Sequence, residues 1–238
     1  MERLSLNRDG QATSSGKWSY WRPMTQGITE LGTLHGREVG LPTHFHEENQ
    51  ITFVLSGRRR FLVEGKVIDL AAGQGTLIPA GVPHRSITEP TGVVCINAYV
   101  PAGRYAVAAM MKEIQRCWRK SDQVQWNDLV AVIREHRQDE MPASLGTPVC
   151  STRNKPVGEI AARMGMSREG FSRMFTRRSG MPPHAFWLAS RLNQARKLLR
   201  TGEPIAAVAA ETGFADQSHL GRWFRRIFGV TPGQYRSD

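Results

Sequence analysis

Long apolar runs are missing from this 238-residue sequence. No stretch approaches the ~18 residues that a membrane-spanning helix needs. Residues Met1 to Lys17 are polar and lack the apolar centre of a secretory leader. A cytoplasmic protein with no membrane contact is therefore expected. Cysteine is scarce: Cys95, Cys117 and Cys150 stand far apart with no CxxC pair, which excludes a disulfide framework. Acidic residues thin out toward the end. Residues 1–150 hold 17 Lys/Arg against 15 Asp/Glu, and residues 151–238 hold 15 against 6, within a net charge of +11. A near-neutral front and a basic back suggest two units, the second facing a polyanion, with a merely solvated basic surface as the rival explanation. Hydrophobic residues at 40% and charged residues at 22% exclude wholesale disorder.

From about Leu31 to Tyr99 short β-type runs are broken by turn residues. Ile51–Leu55 stops at Ser56-Gly57, Phe61–Val63 turns through Glu64-Gly65 into Val67–Leu70, and Thr76–Ile78 ends in Pro79-Ala80-Gly81. Val93–Tyr99 closes the series. Many short strands at this spacing predict a small sandwich or barrel. After Pro101 the period becomes helical, with Val107, Met110, Met111, Ile114 and Trp118, then Trp126, Leu129, Val130 and Ile133. Residues 138–155 carry no period and read as a linker.

The last third contains an internal repeat. Ile160-Ala161-Ala162 and Gly165 recur as Val208-Ala209-Ala210 and Gly213. One inserted residue later, Phe171, Arg173, Phe175, Gly180 and Pro183 recur as Leu220, Arg222, Phe224, Gly229 and Pro232. Order and spacing both repeat, which chance does not explain. Each copy reads as helix, glycine turn, helix. Gly213 fits a C′ position, and Ser167 and Asp216 fit N-caps. The second helices point Arg168, Glu169, Ser172, Arg173 and Thr176 outward in the first copy, with Ser167 beside them at the cap. In the second they point Gln217, Ser218, His219, Arg222 and Arg225 outward. Such donors and short polar groups suit base edges and phosphates. Between the copies, Pro183–Arg200 has a helical pattern. Its 18 residues span roughly 27 Å at ~1.5 Å each, enough to set two recognition helices toward neighbouring major grooves of one duplex.

Residues 160–183 (IAARMGMSREGFSRMFTRRSGMPP) and 205–236 (IAAVAAETGFADQSHLGRWFRRIFGVTPGQYR) resemble the AraC/XylS family of transcription regulators. The resemblance implies a sequence-specific regulator, typically an activator, with two helix-turn-helix units on a long connecting helix. It assigns base readout to Glu169, Arg173, Ser218 and Arg222. The family's helix before the first unit would here be Trp126–His136, or is missing.

His44-Phe45-His46 alternates, so both imidazoles leave one strand face, with Gln50 at the same parity. His84 follows on a later strand. Three histidines and an amide converging inside a barrel suit either a divalent metal or a small-molecule pocket. The run HxH–(three)–Gln50–(six)–Gly57, then G-x5-P-x-G-x2-H, resembles the cupin fold. Departures are Gln50 for the usual Glu, Glu38 for a Gly and Thr88 for an Asn. Trp18, Tyr20 and Trp21 just ahead of the barrel are either an arm over the pocket or a packing strip. Arg58-Arg59-Arg60 alternates across a strand and makes no single patch, though one member can enter the pocket.

The expected architecture is thus β then α. A cupin-like effector-sensing and dimerisation barrel occupies 1–100, connecting or dimerising helices and a linker occupy 101–154, and a dual helix-turn-helix domain occupies 155–238. The expected partners are operator DNA, a small-molecule effector and a second copy of the chain. No cofactor is expected, with a divalent metal at His44, His46, Gln50 and His84 as the other possibility. The rival from another class is a metal-dependent cupin enzyme tethered to a DNA-binding domain.

Overall fold

The structure, a computed structural model, describes residues 6–7, 17–23, 27–37, 39–120, 123–124, 126–138 and 156–237. Most of the predicted 138–155 linker lies outside these residues. β1 (Leu6–Asn7) pairs with β11 (Gln123–Val124). The front unit is a curled antiparallel sheet of β2 (Lys17–Trp21), β3 (Glu30–Gly36), β4 (Leu41–His44), β5 (Asn49–Val63), β6 (Lys66–Ala71), β7 (Gly75–Ile78), β8 (His84–Ser86) and β9 (Val93–Val100). The order is β2-β3-β9-β5-β8-β4, with β6 and β7 also paired to β5.

β9 shows why this sequence closes a two-sided layer. Val93, Cys95 and Tyr99 face the barrel interior, while Val94, Ile96, Ala98 and Val100 face outward into a second apolar cluster. Every residue of the strand is buried, and the period of two sorts them between the faces. The outer cluster is covered by α1 (Val107–Lys120) and α2 (Trp126–Glu135), through Met110, Ile114, Trp118, Leu129 and Ile133. The short β10 (Arg104–Tyr105) and β12 (Arg137–Gln138) pair with each other at the edge of this layer. The helix Trp126–Glu135 therefore packs on the barrel rather than on the first helix-turn-helix unit.

One expectation needs correcting. β5 does not stop at Ser56-Gly57: it runs unbroken for 15 residues, pairing first with β9 and β7 and then with β6 and β8. The register with β9 slips between Val54 and Ser56, and Gly57 sits at φ +75°, where a Cβ would collide with the Gly92 carbonyl. A bulge at a left-handed glycine bends the strand from one wall to the other. It also shifts the parity by one. Thr52 and Val54 point inward before it, and Arg59 and Phe61 after it. The inward arginine of the triplet is therefore Arg59 at 1% exposure. Arg58 pairs with Asp69 on the exposed side, and Arg60 pairs with Glu89.

The back unit is helical: α3 (Val157–Arg163), α4 (Arg168–Ser179), α5 (Pro183–Arg200), α6 (Ile205–Glu211), α7 (Gln217–Phe228) and α8 (Pro232–Ser237). Both predicted caps form. The Ser167 hydroxyl accepts from the Gly170 amide at 3.0 Å, and the Asp216 carboxylate accepts from the His219 amide at 2.7 Å. Gly180 and Gly229 end α4 and α7 in the left-handed conformation. α8 is an element that the sequence pattern does not announce, since six residues are too few to display a helical period. Its Tyr235 is fully buried against Phe224.

Candidate nucleic-acid interface and the cavity between the units

The outward face of α4 carries Ser167, Arg168, Glu169 and Arg173 exposed, with Ser172 and Thr176 half-buried. The Thr176 hydroxyl donates to the Ser172 carbonyl at 2.8 Å. On α7, Gln217, Ser218, Arg222 and Arg225 are exposed. His219 is half-buried instead, with its Nε2 accepting from the Trp223 indole at 3.1 Å and its ring edge-on to Phe214. Among the described residues no ion pair holds Arg168, Arg173, Arg222 or Arg225.

The predicted histidines meet. His44, His46 and His84 are buried with ligand atoms within 4.8 Å of one another, and ring centroids lie 4.5–5.2 Å apart. Gln50 lines the same cavity with Trp18, Tyr20 and Tyr99. The Gln50 amide nitrogen donates to Thr52 Oγ1 at 3.1 Å and Asn97 Oδ1 at 3.3 Å. Gln50 Oε1 and His84 Nε2 are buried without a partner. Trp18 and Tyr20 form one wall from β2 and so act as lining, not as an arm.

Burial and the neighbouring His84 drive the His44 pKa well below its ordinary value. Burial, with His44 and Arg196 nearby, does the same to His46. Burial takes His84 down to about 4. All three imidazoles are neutral, and their partners fix the tautomers. His44 Nδ1 faces the Pro42 carbonyl at 2.8 Å and His84 Nδ1 faces the Val82 carbonyl at 3.0 Å. A carbonyl only accepts, so each Nδ1 carries the proton and each Nε2 keeps a free lone pair. That is the arrangement by which proteins orient metal-ligating histidines. His46 differs. Its Nδ1 lies 3.0 Å from Arg196 Nη1. A guanidinium only donates, so this Nδ1 is the acceptor and its proton sits on Nε2. Two of the three histidines therefore fit a divalent cation, and the third does not.

Arg196 belongs to α5, which is more than a connector. Asn193, Arg196, Lys197 and Arg200 lie at i, i+3, i+4 and i+7, one face of a helix. Asn193 donates to the Phe45 carbonyl at 2.9 Å, Lys197 pairs with Glu47, and Arg200 pairs with Glu48 at 2.7 Å. Arg196 is 1% exposed. It binds Glu30 and donates to the Tyr235 hydroxyl at 3.2 Å, with its guanidinium 4.2 Å from the Tyr99 ring centroid. Tyr235 also donates to Glu30, and the Tyr20 hydroxyl donates to the Phe228 carbonyl at 2.8 Å. Ile227 and Phe228, at the end of α7, complete the cavity wall. The helical unit is thus seated on the mouth of the barrel and leaves about 10 Å³ of free space, room for one water-sized guest. Sequence reasoning misses Glu30, Arg196, Tyr235 and Phe228. The stripe of polar residues on α5 is the available signal, together with Glu47-Glu48 directly after the histidine pair.

Residues 160–238 match the helix-turn-helix domain family and residues 31–96 match the cupin domain family. The chain is 31% identical over 229 residues to "Probable transcriptional regulator LumQ" of Photobacterium leiognathi, covering 81% of this chain and 91% of that protein. It is 36% identical over 83 residues to the HTH-type transcriptional regulator MtrA of Neisseria gonorrhoeae, where the match spans 34% of this chain and 28% of the relative's length. Among solved structures, ToxT from Vibrio cholerae aligns over 94% of this chain and 98% of its own at 12% identity and a TM-score of 0.49. A cupin domain precedes a repeated, capped helix-turn-helix pair, and the match to a transcriptional regulator runs through most of both chains, so the chain belongs to the AraC/XylS family of helix-turn-helix transcriptional regulators.

Proposed function

We propose that this regulator reads its operator through α4 and α7, with Arg173 and Arg222 contacting base edges and Arg168 and Arg225 holding phosphates. Glu169, Ser172, Gln217 and Ser218 complete the two reading faces. Ser167 and His219 serve them from the caps and turns, and Thr176 serves from within α4. The carrying observation is that the repeat places Arg173 and Arg222 at equivalent, exposed positions free of ion pairs among the described residues. The units assigned are a sensing and dimerising barrel over 1–100, helices and linker over 101–154, and the DNA-binding domain over 155–238. The barrel cavity senses a small ligand, DNA recognition needs no cofactor, and the chain acts in the cytoplasm as a homodimeric activator rather than as an enzyme.

Genome-wide mapping of bound DNA supplies the operator, and binding of the full chain to it is then compared with Arg173→Ala and Arg222→Ala. Each substitution is expected to cost ~1–3 kcal/mol on the operator and much less on random DNA. Equal losses on both DNAs would reassign these arginines to phosphates. No loss would remove α4 and α7 as the reading helices.

A further inference from the structure

Neither nitrogen of His46 is available to a metal while the helical unit is docked. Nδ1 accepts from Arg196, and Nε2 carries the ring proton. The rest of the donor set is poised. His44 and His84 each hold a free Nε2, held in place through the carbonyls of Pro42 and Val82, and His84 Nε2 and Gln50 Oε1 are buried with no partner. Free space for one small guest lies among them. We propose that the three histidines take an imidazole-preferring divalent transition cation only when Arg196 withdraws, so that metal binding and docking of the DNA-binding helices exclude each other.

Two physical conflicts enforce the exclusion. For Nε2 of His46 to ligate, its proton must move to Nδ1, which then points a donor at the donors of Arg196. Ligation through Nδ1 instead requires the same lone pair that Arg196 already uses. Either route ends the Arg196–His46 bond. The second conflict is charge. Arg196 is buried beside His46 and paired with the single carboxylate of Glu30, so a dication among the histidines would face a guanidinium across a few ångströms of low-dielectric interior. A donor set of three imidazoles and one amide, with no carboxylate, suits zinc, cobalt or nickel rather than magnesium or calcium. By linkage, whatever factor docking takes from metal affinity, metal takes from docking. The inference deepens the sensory reading of the cavity and rests on it.

The test uses the full chain freed of metal by a chelator, with Zn²⁺ as the probe. Calorimetric titration compares the parent with Arg196→Met, Glu30→Gln and His84→Ala, and small-angle scattering follows shape with and without Zn²⁺. Arg196→Met frees His46, and Glu30→Gln loosens Arg196 without touching the histidines. Both are expected to bind Zn²⁺ at least about tenfold more tightly than the parent. Zn²⁺ should raise the radius of gyration of the parent and do nothing to His84→Ala. If Arg196→Met does not fold, Glu30→Gln carries the comparison. Equal affinity across parent and variants, Zn²⁺ binding that survives His84→Ala, binding with no change in scattering, or no binding at all would each overturn the proposal. None of these measurements involves DNA, so their failure is distinct from failure of the reading-helix assignment.

Discussion

Burying a guanidinium is costly unless its donors and its charge are answered, and Arg196 is answered by a carboxylate, an imidazole, a phenol and an aromatic face. Arg59 is the contrasting case. It donates to Ser86 Oγ at 2.6 Å and toward the Val39 carbonyl, lies over Phe61, and leaves Nε without a partner. Arg196 therefore links two units, whereas Arg59 only packs within one. Cys95, on the inner face of the same barrel, shows what such burial does to an acid. Burial pushes its thiol up to about 11 from an ordinary value near 9. The folded chain keeps that proton where the unfolded chain sheds it. This contribution to stability is therefore whole below pH 9 and is lost as pH climbs from 9 toward 11. Iodoacetamide at about pH 8.5, where an ordinary thiol is partly ionised, should leave Cys95 unmodified until denaturant is added, as peptide mass mapping would show. Alkylation at the rate of a free thiol would mean that the interior opens readily.

At the scale of elements, the repeat gives an internal control. Gly180 and Gly229 occupy equivalent left-handed caps, with φ +74° and +80°. Their surroundings differ. A Cβ at Gly180 would meet Pro83 at an ordinary 3.4 Å, whereas one at Gly229 would run into the Trp18 indole. Gly180→Ala should therefore cost about 1 kcal/mol of backbone strain. Gly229→Ala should cost clearly more, because it also pushes α7 off the barrel. Urea unfolding of the two variants decides this, and equal losses would show that Trp18 does not bear on α7 in solution. The same comparison marks what the sequence could reveal. The period of two in Val93–Tyr99, the glycine turns, both N-caps and the inward histidines are legible because each is a local pattern with a local physical cause. The choice of Arg59 over Arg58 and Arg60 is hidden, because a bulge just before it resets the parity and Ser56-Gly57 looks like a strand end. The seating of α5 is hidden for another reason. Asn193, Arg196 and Arg200 find their partners far back in the chain, at Phe45, His46 and Glu48, and no helical or strand period reports a contact at that range.

At the scale of the whole molecule, the charge asymmetry of the sequence is partly spent inside it. Arg196, Lys197 and Arg200 of the basic back face Glu30, Glu47 and Glu48 of the near-neutral front. Among the described residues, Arg168, Arg173, Arg222 and Arg225 of α4 and α7 enter no such pair. α7 has two ends of different character: Gln217, Ser218 and Arg222 near its start are exposed, and its last residues, Ile227 and Phe228, close the cavity. One apolar cluster runs without a break from Leu34, Val54 and Tyr99 in the barrel to Leu192, Phe224 and Tyr235 among the helices. Two units that share a core cannot lose their packing separately. Heated in a calorimeter without ligand, the chain should therefore absorb heat in a single transition, with calorimetric and van't Hoff enthalpies in agreement. Two resolved peaks would show the barrel and the helices melting as strangers. The single peak would mean that any substitution weakening the barrel core also lowers the temperature at which the helical unit survives, so the heat tolerance of the two units would be inherited together.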